Sequence, residues 1–270
     1  MNDDVTVLVN SCDKYEDAWA PFFALYKIMG AEKATDNAII LNTETKQFSC
    51  DYLPIRTINS GHNRTWSQRL IEVLQKINTE YVFCLLEDFF IQSPFYSEGF
   101  NQCLDYMRSH PEVGCIHTTP TGMNYGPTKD LFFERHFSND QCNIAVVAVL
   151  WRKTFLMKLL RPHENIWQFE YYSGQRARKY YSEKVMQYNE IYPTIFDYHV
   201  VIAEGYGITE GKWLPKNKEL FDRYGIKVDF ERLGWYEPHE KVSEPITIKN
   251  VIPRGIKHIR TRISVWKSLR

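Results

Sequence analysis

The stretch Glu80-Tyr-Val-Phe-Cys-Leu-Leu-Glu-Asp-Phe-Phe-Ile-Gln92 decides the fold, because an unbroken apolar run ends there in two adjacent carboxylates. From Tyr81 to Leu86 every residue is apolar or aromatic, without alternation, which is the pattern of a central strand covered on both faces. Glu87 and Asp88 follow at its carboxyl end. In an open α/β sheet, ligands bind in the crevice outside the carboxyl ends of the strands. The stretch therefore predicts a buried strand whose end carries a binding site.

The two carboxylates allow two interpretations. In the first, Glu87 caps a turn, Asp88 starts a helix, and Phe89 and Phe90 are core residues. In the second, the carboxylate oxygens hold Mg²⁺ or Mn²⁺ and leave the other coordination positions to diphosphate oxygens and water. Ionised groups at such a place are costly unless they contact a cation, a basic partner or water.

Length and composition favour one α/β domain in a chain of 270 residues. The 33 basic and 33 acidic residues balance, so the chain lacks the basic bias of a nucleic-acid-binding protein. Aromatic residues make up 15%, which suits stacking on sugars and bases, although core packing is their usual role. The six cysteines contain no Cys-x-x-Cys pair and predict buried free thiols, without disulfides or a zinc site.

The first half of the chain alternates strand and helix signals, as a parallel sheet requires. Strands are predicted at residues 5–9, 38–41, 51–58 and 113–117, and helices follow the first of these and cover residues 97–109. Residues 61–69 precede an amphipathic helix with Leu70, Val73, Leu74 and Ile77 on one face, and its arginines and Ser/Thr-rich start predict an anion-friendly N-terminus beside the crevice. In the second half, apolar runs predict strands at 143–150 and 194–203, the later one carrying Asp197 and His199.

Two segments are predicted to be loops because they are rich in glycine or proline. Residues 118–130 form the longer one, and residues 205–213 form a glycine-rich one that contains Lys212.

Residues 251–270 differ from both loops, since an apolar stripe there alternates with six positive charges and no acid follows Glu244. This pattern predicts a basic amphipathic helix, which either contacts a membrane surface through residues 253–270 or docks on the domain with its basic face solvated.

The N-terminal sequence Met1-Asn-Asp-Asp4 leads directly into a strand, without a basic n-region or a cleavable apolar segment. No apolar run reaches the length of a membrane span. We therefore expect a cytoplasmic protein, with peripheral contact at the inner face of the cell membrane if the basic helix binds lipid.

Several motifs together resemble the GT-A-fold glycosyltransferases, in particular family-2-like enzymes of bacterial surface-polysaccharide clusters. The motifs cover residues 5–215, and they are Val7-Leu-Val-Asn-Ser-Cys-Asp13-Lys-Tyr, Trp66-Ser-Gln-Arg69-Leu, Leu85-Leu-Glu87-Asp88-Phe-Phe, Trp151-Arg-Lys and Asn165-Ile-Trp167-Gln-Phe-Glu170. The resemblance implies a Rossmann-like, mostly parallel sheet flanked by helices. It also implies one catalytic domain over residues 1–250, with residues 1–115 binding the nucleotide-sugar and 116–250 binding the acceptor.

The implied activity is transfer of a sugar, with inversion, from a nucleotide-sugar, a UDP-sugar being the first choice, to a hydroxyl of a glycan or lipid-linked glycan. On the donor side the resemblance places Asp13 at the base or ribose, although a turn-capping role is equally open. Arg69 faces the diphosphate or the base, unless it is a surface arginine paired with an acid. Lys212 contacts the phosphates from a loop that resembles a closing lid.

Glu87-Asp88 is similar to the acidic motif, usually Asp-x-Asp, that binds the donor diphosphate through Mg²⁺ or Mn²⁺. Here the motif reads Glu-Asp-Phe, and because Phe89 cannot be a ligand, coordination falls on Asp88 and Glu87. His199 completes the metal site in this interpretation, and a buried, hydrogen-bonded histidine is the alternative.

Inverting enzymes of this type need a base that removes the acceptor proton, and Glu170, close to Trp167, matches its position. The alternative is a Glu that caps the helix or pairs with Arg176 or Arg178. Two other functions also stay open. A non-catalytic carbohydrate- or nucleotide-binding protein fits the aromatic content, and a nucleotidyltransferase fits the sheet, although Asn10-Ser-Cys-Asp13 lacks the glycine-rich loop of that class.

Overall fold

The fold is described from a computed structural model, which describes residues 2–119, 132–134, 144–188, 193, 195 and 207–237. It is a mixed α/β structure with one central sheet of eight strands, a separate two-stranded hairpin and six α-helices in these ranges. The central strands are β1 (Val5–Asn10), β2 (Ile39–Thr43), β3 (Ile55–Asn59), β4 (Tyr81–Leu86), β5 (Val113–His117), β6 (Phe132–Glu134), β7 (Val149–Arg152) and β8 (Lys184–Tyr188). The hairpin strands are β9 (Ile208–Thr209) and β10 (Lys212–Trp213), and the helices are α1 (Glu16–Ile28), α2 (Trp66–Lys76), α3 (Ser97–Ser109), α4 (Lys153–Leu159), α5 (Ile166–Tyr180) and α6 (Lys216–Arg223).

The strand order of the sheet is β3-β2-β1-β4-β7-β5-β8-β6. β1 to β4 are parallel to one another, whereas β7 is antiparallel to both β4 and β5, and β6 is antiparallel to β8. Because β5 and β8 are parallel, six strands run in one direction and two run against them. The prediction of a mostly parallel Rossmann-like sheet flanked by helices is confirmed.

Side chains of each central strand alternate between two buried layers. On β4, Phe83 and Leu85 enter one hydrophobic cluster while Val82 and Cys84 enter the other. Helices α1 and α3 cover the first layer, and α2, α4 and α5 cover the second. Burial on both faces explains why β4 lacks the apolar–polar alternation of a half-exposed strand.

The predicted bounds agree with the observed ones for β4, β5 and α3 and differ from them for the other elements. The apolar run 143–150 was predicted as a strand, but only Val149 onward joins the sheet. Ala148 has a φ of 52°, which interrupts an extended conformation, and its carbonyl accepts hydrogen bonds from the N–H and hydroxyl of Thr118 at 3.0 and 2.7 Å. Residues before Ala148 leave the sheet and contact α5.

Several predictions fall outside the described residues: His199 and most of the strand 194–203, the loop 120–130, and the basic segment 251–270. The five described cysteines are free thiols; Cys84, Cys103 and Cys115 are buried as predicted, whereas Cys12 and Cys50 are only half-buried. Within the described ranges, none of the helices combines the length and the apolar character that crossing a membrane requires.

Candidate functional site

The sheet has a topological switch point between β1 and β4. The chain steps from β1 outward to β2 and β3, and β4 then pairs on the opposite side of β1. Connections on the two sides diverge at such a point and leave a crevice at the carboxyl ends of the strands. Asn10 and Leu86 form the last pair in the β1–β4 register, so Ser11 and Glu87 follow next to each other at the mouth of this crevice.

Glu87 and Asp88 form the turn that ends β4, and Asp88 does not start a helix as one interpretation predicted. The backbone is held by a hydrogen bond from the N–H of Phe89 to the carbonyl of Leu86. Phe89 and Phe90 are both buried in the core, as that same interpretation predicted. These two rings anchor the turn and fix both carboxylates at the end of the strand.

Burial and mutual repulsion disfavour the ionised forms of this pair. Glu87 is 3% exposed, whereas Asp88 is partly exposed. Burial raises the pKa of Glu87, and the charge of Asp88 raises it further, against a hydrogen bond from Ser11 and the charge of Arg69, which lower it. Burial also raises the pKa of Asp88. A cation near Asp88 would stabilise the ionised pair, because opposite charge favours the charged form of a carboxyl group.

Arg69 lies at the same crevice, one turn into α2. Thr65 caps this helix through a capping box with Gln68, which fixes the position of its first turn. The Arg69 Nη1 atom donates to the carbonyl oxygen of Ser11 at 2.8 Å and lies 4.0 Å from the Glu44 carboxylate. Its Nε–H is buried and has no hydrogen-bond partner among the described residues. The guanidinium is thus held at the crevice with donor capacity left over.

Asp13 binds the connection after β2 through its side chain. Its carboxylate accepts backbone N–H groups of Glu44, Thr45 and Lys46 at 3.0, 3.1 and 3.2 Å, and the Thr45 hydroxyl at 2.5 Å. Burial raises its pKa, but these hydrogen bonds outweigh burial and bring the pKa below its ordinary value. Asp13 therefore shapes one wall of the crevice, and its predicted role at the base or ribose stays a prediction.

A group of Asp13, Glu44 and His62 places its ligand atoms within 4.8 Å of one another. The oxygens of Asp13 are already engaged by the turn at 44–46, and one oxygen of Glu44 accepts the N–H of Asp13 at 3.1 Å. We assign no ion to this group.

Glu170 lies in the first half of α5, whose start is fixed by a capping box between Asn165 and Gln168. Its carboxylate accepts the N–H of Val146 at 3.1 Å, and its carbonyl accepts the N–H of Ile144 at 3.1 Å. Burial raises the pKa of Glu170 to about 7, against the lowering effect of the Val146 hydrogen bond. The carboxyl group is therefore close to half-ionised at neutral pH, which suits a group that accepts a proton.

Glu170 and the acidic pair belong to the same end of the sheet. β7 runs antiparallel to β4, with Cys84 paired to Val149, so the residues that lead into β7 lie at the end where β4 leaves the sheet. Val146, which binds Glu170, is one of them. Glu170 thus lies at the same end of the sheet as Glu87, Asp88 and Arg69.

Lys212 lies on a β-hairpin, where the sequence predicted a loop. It pairs with Thr209 across a turn in which Glu210 and Gly211 have φ values of 54° and 81°, and its side chain is exposed. The hairpin is fastened to the acidic turn, since the N–H of Gly207 donates to the carbonyl of Asp88 at 2.6 Å. The buried ring of Trp213 also stacks on Phe90, with centroids 6.1 Å apart. Phosphate contact by Lys212 stays a prediction.

The sequence did not predict three residues that contact the predicted site residues, namely Ser11, Val146 and Gly207. Ser11 has a recognisable signal, because it follows the end of β1 directly. Val146 and Gly207 act through backbone N–H groups, which every non-proline residue carries, and therefore leave no signature in side-chain type.

No protein-family model and no curated protein matches the sequence. In structure, the chain is similar to S. aureus TarS 1-349, with a TM-score of 0.44, 9% identity, and coverage of 70% of this chain and 58% of that chain. It is also similar to a UDP-glucose pyrophosphorylase complexed with UDP-glucose, with a TM-score of 0.47 and 9% identity over 70% and 90% of the two chains. A third similar structure is the CMP:2-keto-3-deoxy-manno-octonic acid synthetase complexed with CTP. Its TM-score is 0.45 and its sequence identity is 10%, and the match covers 70% of this chain and 89% of that chain. The chain therefore spans little more than half of the TarS fragment.

Proposed function

We propose that this protein is a glycosyltransferase that moves a sugar from a nucleotide-sugar to an acceptor hydroxyl. The observation that carries the proposal is the acidic pair Glu87–Asp88 beside the Arg69 guanidinium at the β1–β4 switch point. A nucleoside diphosphate needs positive charge and hydrogen-bond donors, and the crevice offers Arg69 for both. The acidic pair, short of positive charge, would attract the divalent cation that accompanies a diphosphate.

Mg²⁺ or Mn²⁺ fits the chemistry of this donor set. Asp88 is the partly exposed member and would hold the ion, while Glu87, buried and bonded to Ser11, would orient the turn from behind. The ion would supply charge neutralisation for the diphosphate leaving group. The Gly207 contact to the Asp88 carbonyl keeps the backbone of this ligand in place.

On the acceptor side we assign Glu170 as the general base. The acceptor oxygen attacks the anomeric carbon, the bond from that carbon to the diphosphate oxygen breaks, and the proton of the hydroxyl passes to the Glu170 carboxylate. The leaving nucleoside diphosphate carries the bonding electron pair to its site beside Arg69. Attack from the face opposite the leaving group inverts the configuration of the sugar.

The experiment that tests the proposal separates it from the two other functions. Purified protein is incubated with UDP-, GDP- and CMP-sugars with and without Mn²⁺, and release of the free nucleotide is measured with and without an acceptor glycan mixture. We expect release of one nucleotide from one donor class and a thermal shift with the same nucleotide. Pyrophosphate release from a nucleoside triphosphate and a sugar 1-phosphate would instead identify a nucleotidyltransferase. No response to any nucleotide would favour a carbohydrate-binding protein.

A further inference from the structure

An exposed pair of aromatic rings lies on α5, one turn apart. Trp167 is 75% exposed, whereas Trp19, Trp151 and Trp213 are 2%, 0% and 0% exposed. Tyr171 follows four residues later and is 52% exposed. Residues at this spacing are neighbours on a helix surface, with Cβ atoms about 5–6 Å apart. We call Trp167 and Tyr171 the aromatic platform.

The backbone under the platform is fixed before any ligand arrives. Trp167 lies inside the Asn165–Gln168 capping box, which joins side chain and backbone in both directions. Further along α5, Arg176 donates through both terminal nitrogens to the carboxylate of Glu164, at 2.7 Å each, and both side chains are fully buried. Ordering the platform therefore costs little on binding, because the helix is already held at both ends.

The platform is next to the assigned base. Glu170 is three residues after Trp167, and residues at this spacing are neighbours on a helix surface. Its carboxylate is held by the Val146 N–H. A molecule lying on the two rings would therefore extend toward Glu170.

We infer that the aromatic platform is the acceptor-binding surface and that it takes the apolar face of a pyranose ring, so that the acceptor is recognised as a glycan. This inference rests on the proposed function for its link to Glu170. The negative face of an aromatic ring attracts the positively polarised C–H groups of a sugar, while the sugar hydroxyls stay at the rim. Gln175, one turn after Tyr171 and partly exposed, offers an amide to such hydroxyls.

The composition of the helix surface favours a glycan over a lipid surface. The large exposed apolar side chains of α5 are all aromatic: Trp167, Tyr171 and Tyr180. The aliphatic residue of its first turn, Ile166, packs against the core. Helices that lie in a bilayer interface bury a continuous face that includes aliphatic side chains, and this face has flat rings with polar edges.

The test uses the full chain and four variants: Trp167→Ala, Tyr171→Ala, Trp167→Phe and Tyr180→Ala. Tyr180 is the matched control, because it is an exposed aromatic residue of the same helix, 48% exposed and nine positions from Tyr171, on the opposite side. Each protein is applied to a printed array of bacterial-type oligosaccharides, and UDP affinity and melting temperature are measured on the same preparation. We expect Trp167→Ala and Tyr171→Ala each to lose tenfold or more in glycan affinity, with Trp167→Phe and Tyr180→Ala close to wild type and UDP affinity unchanged throughout.

Three results would overturn the inference: wild-type protein that no glycan of the array retains, glycan affinity that survives both alanine variants, or a parallel loss of UDP affinity, which would make the platform a nucleotide surface. Co-sedimentation with phosphatidylglycerol vesicles that depends on Trp167 and Tyr171 would also overturn it in favour of a lipid contact. Failure of the proposed function gives a different pattern, in which glycans bind through the platform but no nucleotide-sugar is consumed.

Discussion

The carboxylate of Glu170 accepts a hydrogen bond from the backbone N–H of Val146 at 3.1 Å, and this contact ties α5 to the residues that lead into β7. Ile144 makes a second tie, through the carbonyl of Glu170. A side chain held in this way has a fixed direction even though it is partly exposed. The contact therefore gives Glu170 the fixed geometry that a general base needs.

Replacement of Glu170 by Gln tests that role. Gln keeps the shape and can still accept the Val146 N–H through its amide oxygen, but it cannot take a proton. We expect donor affinity within a factor of about two of wild type and turnover lower by roughly 10²–10⁴-fold, the usual contribution of general base catalysis. In wild type, turnover should rise with pH up to about 7, the pKa of Glu170, and then level off. Calorimetry with the nucleotide and a transfer assay give both quantities, and loss of donor affinity would move Glu170 to the donor site.

The same substitution has a predicted effect on stability that depends on pH. Because burial raises the folded-state pKa of Glu170 from 4.5 to about 7, the folded state holds this proton more tightly than the unfolded state. The penalty for the buried carboxylate is absent below pH 4.5, grows as the pH rises through 7, and reaches at most about 3 kcal/mol. Glu170→Gln should therefore match wild type in urea unfolding near pH 4 and exceed it at pH 8. Equal gains at both pH values would show that ionisation is not the cause.

Asp88→Asn tests the proposed cation ligand. The two side chains are nearly isosteric, but a neutral amide is a poorer ligand for a hard cation than a carboxylate. We expect nucleotide affinity in Mn²⁺ to fall at least tenfold, with an unchanged or higher melting temperature, because the negative charge next to the buried Glu87 is removed. Asp222→Asn is the control, since Asp222 is an exposed acid on α6 whose carboxylate pairs with Lys218. Sugar transfer at the wild-type rate by Asp88→Asn would place the site elsewhere.

The buried ion pair Glu164–Arg176 predicts a non-additive set of variants. Glu164→Leu or Arg176→Met alone leaves one buried charge without its partner, which costs about 3–5 kcal/mol, whereas the double variant replaces both charges by apolar groups of similar size and should recover most of that loss. Urea unfolding of the four proteins measures the coupling. Additive losses in the double variant would show that the two side chains do not act as a pair.

Gly207→Ala tests the attachment of the β9–β10 hairpin to the acidic turn. A Cβ atom at residue 207 would lie 2.1 Å from the Phe90 ring and 2.8 Å from the Asp88 carbonyl oxygen, so the hairpin must move. We expect a loss of about 1–3 kcal/mol, the usual cost of overpacking, and weaker nucleotide binding. Phe90→Leu in the same chain removes the ring contact and should recover part of the stability. No change in melting temperature in Gly207→Ala would show that the hairpin adjusts freely.

The sequence predicted the parts of the fold that rest on continuous burial or helical spacing. β4 and its carboxylates are readable because six apolar residues precede them, and α3 is readable because its apolar residues recur with helical period. β8 and α6 were missed, since Lys184–Tyr188 and Lys216–Arg223 mix polar and apolar residues without a clear period. The late start of β7, at Val149, was missed because the residues on both sides of Ala148 are equally apolar, and a local backbone angle has no effect on hydrophobicity.

The sequence predicted the side chains of the candidate site but not the backbone groups that hold them in place. Arg69 and Glu170 stand out as charged residues near helix starts, and both lie at the predicted end of the sheet. Their direction depends on the Ser11 carbonyl and the Val146 N–H, which only the three-dimensional arrangement brings close. The same holds for Asp13. The sequence shows a carboxylate after β1, but it does not show that four hydrogen-bond donors from residues 44–46 bind this carboxylate.

The antiparallel strand β7 has a consequence for the order in which the chain folds. β7 lies between β4 and β5 and pairs with both, so these two earlier strands are joined only after residue 152 has been synthesised. During synthesis, β1 to β4 can pair as a unit, but β4 keeps one bare edge for more than sixty residues of further chain growth. Bare strand edges attract other chains. A ribosome-bound chain that ends before β7 is therefore the form of this protein most in need of a chaperone.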